Sequence, residues 1–446
     1  MVLRGFKYLL VELNFLIMKS KLHNDVTELL ENKVISDTVA HQILAYYDAK
    51  ETQKSNPLFT IFGILGSALV GLGIILILAH NWDDFSRATK TMFAFLPLIF
   101  GQCVAGYAIL KKKSQAWKES SGTFLFFAIG ASIALVSQVY NIPGDLSRFL
   151  LTWIVLGLPL IYVLNSKAVA MLVIGFSTYY ACEYGYSFGY GNTSPWLYFV
   201  LILGTIPFYI TALKNRPKAN TTGILNWLYT ISLIVVLGAF IDSNWSLGFL
   251  MYAMLFGFFY NMGKLPIFKN QQLRRNSFTV LGSLGTVILL LILSFNVVWE
   301  EIHQKLIVFN SQEMMMSLVL MVIALALLVY TKIGKRQSEF NMFQYVFIIF
   351  LIVFIVGSEN AQLATVFTNI ILLILGVFAI KIGADTSRFS VLNYGLLIIS
   401  STIICRFFDV DMSFVLRGIL FVLVGLGFFS ANYIMLKKQK EKNNNL

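Results

Sequence analysis

The sequence predicts an all-α fold: a polytopic transmembrane helical bundle of about 14 helices, N-terminus and C-terminus cytoplasmic, with a short N-terminal cytoplasmic helical hairpin. Three observations carry that prediction. The 446 residues are 57% hydrophobic and 13% charged, with a mean hydropathy of +0.75, far from the mix of a soluble chain. Apolar runs long enough to cross a ~30 Å hydrocarbon layer recur along the whole chain. Lys and Arg collect in alternate loops between those runs, the asymmetry that orients helices in a bilayer.

The first 57 residues form a cytoplasmic arm and hairpin. GFKYLLVELNFLIM carries Lys7 and Glu12 within its apolar part and has no small-residue cleavage site, so it does not fit a signal peptide. Met18, followed by KSKLHND, is an alternative start. Over 22–54, Leu22, Val26, Leu29 and Leu30, then Val39, Ile43, Leu44 and Tyr47, follow helical spacing around the break NKVIS, with Asp25 and Ser36 as caps. The apolar stripe of this hairpin either packs on the chain's own membrane domain or docks a partner.

The spans follow at 58–79, 91–110, 122–140, 149–164, 168–186, 196–213, 223–241, 245–260, 277–298, 314–331, 342–357, 362–380, 391–407 and 414–436. Runs of this length without strict alternation point to helices and not to a barrel, because lipid demands that each segment satisfy its own backbone. The runs 149–164, left by the tight NSK turn, and 245–260 are short, and either spans or re-enters. A cytoplasmic linker, 214–222, divides a first membrane half of six helices (58–213) from a second of eight (223–436). The Asn-rich tail 437–446 is expected to be disordered.

Charge tests the threading. Of the 34 Lys and Arg, six (Arg87, Lys90, Arg148, Lys305, Arg406 and Arg417) fall on the outward side, which leaves 28 on the arm, the tail and the inward loops such as KKKSQAWK, KNRPK and GKLPIFKNQQLRR. The net charge of +12 is therefore a topology signal and an attraction to anionic inner-leaflet lipids, and no nucleic-acid partner is expected. Cys103, Cys182 and Cys405 lie apart in apolar runs with no CxxC, so neither a metal nor a disulfide framework is indicated and no cofactor is expected. HExxH, GxSxG and a phosphate loop are absent from the sequence.

No ionisable group falls near the middle of a run, where coupled transporters hold one. Asn369, Thr365 and Thr368 are mild polar groups suited to interhelical hydrogen bonds. Pro97, Pro159 and Pro207 fall inside three runs and either break helices for substrate or serve packing. Gly63, Ser67 and Gly71, at four-residue spacing, suit close helix contact.

The polar residues gather in three outward stretches. AHNWDDFSRATK holds His80, Asn81, Trp82, Asp83, Asp84, Arg87 and Lys90; SQVYNIPGDLSRF holds Gln138, Tyr140, Asn141, Asp145 and Arg148; CRFFDVDMSFVLRG holds Arg406, Asp409, Asp411 and Arg417. One reading is anchoring, with aromatics in the interfacial belt and Asp residues at helix starts. Another joins the stretches into an outward site in which the arginines take an anionic headgroup or sugar.

These stretches, with ELLENKVISDTVAHQILAYYDA and the continuation SQVYNIPGDLSRFLLTWIVLGLPLIYVL, resemble the bacterial predicted-membrane-protein family known only as domain of unknown function two-one-five-seven. NYGLLIISSTIICRFFDVDMSFVLRGILFVLVGLGFFSANYIMLKK is similar to the companion domain often fused behind it. The resemblance implies a bacterial inner-membrane location and no assigned activity. It also implies a separate small partner bearing a GDYxxLxY signature, a motif missing from this chain. Three functions remain: translocation or handling of a small solute, lipid or glycan at the envelope; a scaffold or sensor; or a membrane-embedded enzyme, for which His80, Asp83, Asp84 and His303 are the available acid and base groups. A cavity reaching the bilayer midplane favours the first, a packed bundle the second.

Overall fold

The structure, a computed structural model, describes residues 25, 26, 28–52, 84–186, 194–242, 244–269, 271–304, 310–333, 341–409 and scattered positions between 415 and 437. The chain forms two compact units divided between Arg87 and Ala88.

In the first unit the predicted hairpin is present. Residues 28–31 are helical and end on Lys33 in the left-handed region (φ 54°), where the Val34 N–H reaches the Leu29 carbonyl at 2.9 Å. This is the closure that satisfies the last carbonyls of a helix. Helix α1 (Asp37–Thr52) follows. Of the predicted apolar stripe Val26 is buried and Leu30, Ile43 and Leu44 are half-buried, whereas Leu29 and Val39 are exposed.

The second unit is all α. Helices α2 (Arg87–Leu110) and α3 (Gln115–Tyr140) are continuous. α4 runs from Leu146 to Gly157 and resumes over Pro159–Val163, because Pro159 can start a helical turn but cannot donate within one. Pro97 and Pro207, in contrast, sit inside unbroken helices. Then come α5 (Lys167–Gly185), α6 (Leu197–Asn215), α7 (Asn220–Leu237), α8 (Trp245–Met262), α9 (Ser277–Ile292), α10 (Asn296–His303), α11 (Gln312–Lys332), α12 (Val346–Glu359), α13 (Ala361–Asp385) and α14 (Phe389–Asp409).

Each of the twelve apolar runs between 91 and 407 is helical, yet the number of spans is lower than the sequence suggests. Among the described residues eight helices are long and apolar enough to cross a membrane, or nine if the bent pair α9 and α10 is one span. The reasons differ from helix to helix. α12 has 14 residues, ~21 Å at ~1.5 Å per residue, short of the hydrocarbon thickness. α5 carries Ser177, Thr178, Tyr179, Tyr180 and Glu183 among its apolar residues. The run 277–298 does not continue straight, for α10 turns 82° from α9 at Leu293–Phe295. Amphipathic NVVWEEIH begins there, and Trp299 Nε1 donates to the Leu293 carbonyl at 2.6 Å, satisfying one group that the bend releases. The run 58–79, with Gly63, Ser67 and Gly71, lies outside the described residues. Of the run 414–436, the described residues are helical.

The main core runs from Phe126 of α3 to Ile398 of α14, and in the second half α8 packs against α9, α11 and α12 and α13 packs along α14. Glycines let these backbones touch. A Cβ at Gly282 would sit 2.6 Å from the Tyr260 N, and one at Gly383 would sit 2.3 Å from the Leu392 N. Such close approach is how helices associate when lipid removes the hydrophobic drive between them. Asn369 behaves as expected of an interhelical linker, donating to the Ser294 carbonyl at 3.1 Å and to the Thr365 carbonyl at 2.8 Å.

Candidate functional site

The predicted stretch SQVYNIPGDLSRF forms the turn between α3 and α4. α3 ends on Asn141, left-handed at φ 51°, a conformation that Asn tolerates. Ser137 reinforces the turn, for its hydroxyl donates to the Ile142 carbonyl at 2.9 Å while its own carbonyl accepts the Ile142 N–H at 2.9 Å. Asp145 caps α4, its Oδ1 accepting from the Arg148 N–H at 2.7 Å. Its Oδ2 lies 3.3 Å from Arg148 Nε, an ion pair whose side chains are 55% and 84% exposed respectively.

Beside this turn opens a groove of about 920 Å³. α3 floors it and α2 and α4 wall it. Phe95, Leu98 and Gln102 come from α2; Leu125, Ile129, Ser132, Ile133, Val136 and Ser137 from α3; Phe149, Thr152, Leu156 and Leu160 from α4. Each set falls at three- and four-residue spacing, so each is one face of its helix. Asp145 and Arg148 stand at one end. Along α3 the lining runs from Leu125 to Ser137, roughly twelve residues or ~18 Å. Since α3 spans Gln115–Tyr140, that is the stretch from its middle to its C-terminal end.

Packing explains why the groove stays open. α4 docks onto α3 at two glycines: a Cβ at Gly130 would meet the Trp153 ring at 2.3 Å, and one at Gly157 would meet the Phe126 ring at 2.6 Å. Trp153 Nε1 then donates to the Phe126 carbonyl at 2.7 Å, and its ring lies 4.5 Å from Phe176 of α5. α2 meets α3 at fewer places. Ser132 Oγ donates to the Ala94 carbonyl at 2.7 Å, Thr91 Oγ1 donates to the Tyr140 hydroxyl at 3.1 Å, and Phe100 stacks edge-on to Phe124. Gln138 and Tyr140 are exposed at the same end of α3.

The other predicted residues are distributed elsewhere. His80, Asn81, Trp82, Asp83, Asp411 and Arg417 lie outside the described residues. Asp84 is exposed in a turn and Arg87 opens α2, both in the first unit. Asp409 is the last residue of α14. Arg406 sits at the α9–α10 bend: Nη2 donates to Ser294 Oγ at 3.2 Å, and the guanidinium lies 5.1 Å from the centre of the Phe295 ring. His303 is exposed, with Nδ1 2.6 Å from the Ser358 carbonyl. Among the described residues no three His, Cys, Asp or Glu side chains gather as a metal would require.

Gln102, Ser132, Ser137 and Thr152 were missed as a set by sequence reasoning. Their only signal is polarity within apolar helices, and that does not say which faces converge. Chemically the arrangement offers a largely apolar groove with a charge pair at its open end, and among the described residues that line it no nucleophile and base stand in hydrogen-bond reach. No curated protein and no solved structure matches the chain. Residues 27–170, which take in most of the hairpin and every residue lining the groove, match the model of the predicted membrane protein family DUF2157, so over this segment the chain is similar to a family of predicted membrane proteins.

Proposed function

We propose that the protein handles a lipid or lipid-linked amphiphile at the cell envelope, taking it sideways from the bilayer into the groove between α2, α3 and α4. The observation that carries the reading is the groove's gradient, largely apolar along ~18 Å of helix and charged at one end. That length is close to one leaflet, half of a ~30 Å hydrocarbon layer. A path for a solute through the second half is less well supported, for the void among Ala253, Thr286, Leu290 and Phe350 holds about 10 Å³, about one water. The same tight packing supports the second reading, an envelope scaffold or sensor. With the Lys- and Arg-rich loops cytoplasmic, in a bacterial inner membrane, the mouth of the groove belongs to the outer leaflet.

Lipid retention tests this. The protein is purified in mild detergent and the lipid that stays with it is quantified. Ala134 lines the groove and is exposed, so Ala134→Trp fills space without displacing a core residue. Blocking about three methylenes, at ~0.8 kcal/mol each, lowers retention by about fiftyfold. Unchanged retention in a protein of unchanged melting temperature rules out the groove as the lipid site.

A further inference from the structure

We infer that the groove selects its lipid by headgroup, taking one whose phosphate is followed by an ammonium, a phosphoethanolamine lipid, in preference to an anionic one. The inference rests on the lipid-handling reading and deepens it. Its basis is the composition of the groove's polar end, where a cation and an anion stand side by side and both face outward: Arg148 Nε lies 3.3 Å from Asp145 Oδ2, with the side chains 84% and 55% exposed.

Arg148 uses Nε toward Asp145, which leaves the two terminal nitrogens of its guanidinium fork directed away from the pair, the edge that matches a phosphate. Asp145 spends Oδ1 on the Arg148 N–H, and each carboxylate oxygen retains a second lone pair. A purely anionic head on Arg148 would lie about 6 Å from the Asp145 carboxylate and be repelled by it. An ammonium two carbons beyond the phosphate turns that repulsion into attraction. The tail needs no further partner: Phe149, Leu156 and Leu160 of α4 face Phe95 and Leu98 of α2 along the groove below the pair.

The test uses the full chain in nanodiscs and native mass spectrometry, with phosphatidylethanolamine, phosphatidylglycerol and diacylglycerol of identical tails as probes. The parent is expected to retain phosphatidylethanolamine about tenfold over each of the others. Arg148→Gln should bring all three lipids level. Asp145→Ser, which keeps a capping oxygen but removes the charge, should reverse the preference toward phosphatidylglycerol. Equal retention of the three lipids by the parent, with loss of all three in Ala134→Trp, overturns headgroup selection and leaves the lipid-handling reading standing. A parent preference for phosphatidylglycerol likewise overturns it. Retention unaffected by Ala134→Trp overturns both, and if that variant instead lowers the melting temperature or changes the oligomeric state, the groove is a seat for another helix or a second copy.

Discussion

The α2–α4 region and the α8–α14 region are both built of apolar helices, the second set the more apolar, and close in opposite ways. In the second, glycines place backbone against backbone, at Gly282 beside Tyr260 and at Gly383 beside Leu392, and Trp299, Phe347 and Phe350 are fully buried. In the first, Gly130 and Gly157 draw α4 onto one side of α3, while α2 is held by Ser132, Thr91 and an aromatic edge. The difference teaches that hydropathy sets which segments are helical but the placement of small residues sets which pairs seal. Where glycines face a neighbouring backbone no space remains; where they serve one flank of a helix, the other flank is left as a groove.

The largest expected effect comes from spoiling a seal. Gly383→Val forces a side chain into the Leu392 backbone, which cannot move as a flexible side chain does. The cost is about 3 kcal/mol, read as loss of thermal stability in detergent or as failure to accumulate in membranes. Gly106 on α2 has nothing within 4 Å of a Cβ, so Gly106→Val should leave melting unchanged. Equal sensitivity at both positions would erase the contrast between the two regions.

A smaller effect sharpens the comparison at two carboxylates. Glu119 of α3 holds the start of α5: Oε1 accepts from Gln115 Nε2 and the Lys167 N–H at 2.9 and 3.1 Å, while Oε2 accepts from Ser166 Oγ and from the Ala168 N–H at 2.8 Å. Glu313 of α11 is almost wholly buried, and among the described residues its contacts are to one oxygen, Oε1, which accepts from the Asp242 and Asn244 N–H groups at 3.0 and 3.3 Å. Burial alone ranks Glu313 as the more sensitive. Hydrogen-bond geometry reverses the order, because Glu119→Gln must turn an NH₂ toward two donors, whereas Glu313→Gln keeps its accepting oxygen. About 2 kcal/mol is expected for Glu119→Gln and about 1 kcal/mol for Glu313→Gln, by paired melting curves. The opposite order would mean that burial outweighs donor geometry in this bundle.

The helices were legible from the sequence, as were the role of Asn369 and an Asp at the start of α4, since each depends on local chemistry: apolar length and a short polar side chain; which of Pro97, Pro159 and Pro207 breaks its helix was not. The bend at Leu293–Phe295 was not, because it contains no Pro or Gly. It arises when Asn296, Glu300 and Glu301 give α10 a polar face that cannot follow α9 into lipid. The groove was half legible. Asp145 and Arg148 stood out as charges at a helix end, but its walls did not. In a span that is apolar all round, periodicity no longer marks the face that meets a neighbour, and the contacts of Gly130 with Trp153 and of Gly157 with Phe126 are long-range facts.

The smallest expected effect concerns Arg148, and its smallness is the point. Its ion pair with Asp145 is largely exposed, and such pairs contribute only about 0.2–1 kcal/mol. The cap of α4 does not depend on the guanidinium either, because Asp145 accepts from the Arg148 backbone N–H, which Gln supplies equally. Arg148→Gln should therefore shift the melting free energy by about 0.5 kcal/mol or less, in contrast to the sealed half, where a single methyl group is felt. A loss well above ~1 kcal/mol would show that the arginine holds the α3–α4 turn in place, and the mouth of the groove would then belong to the framework of the fold. A loss within the expected range leaves an exposed cation at the open end of an apolar groove with little to do for stability. That is the condition under which a charge is available to a ligand.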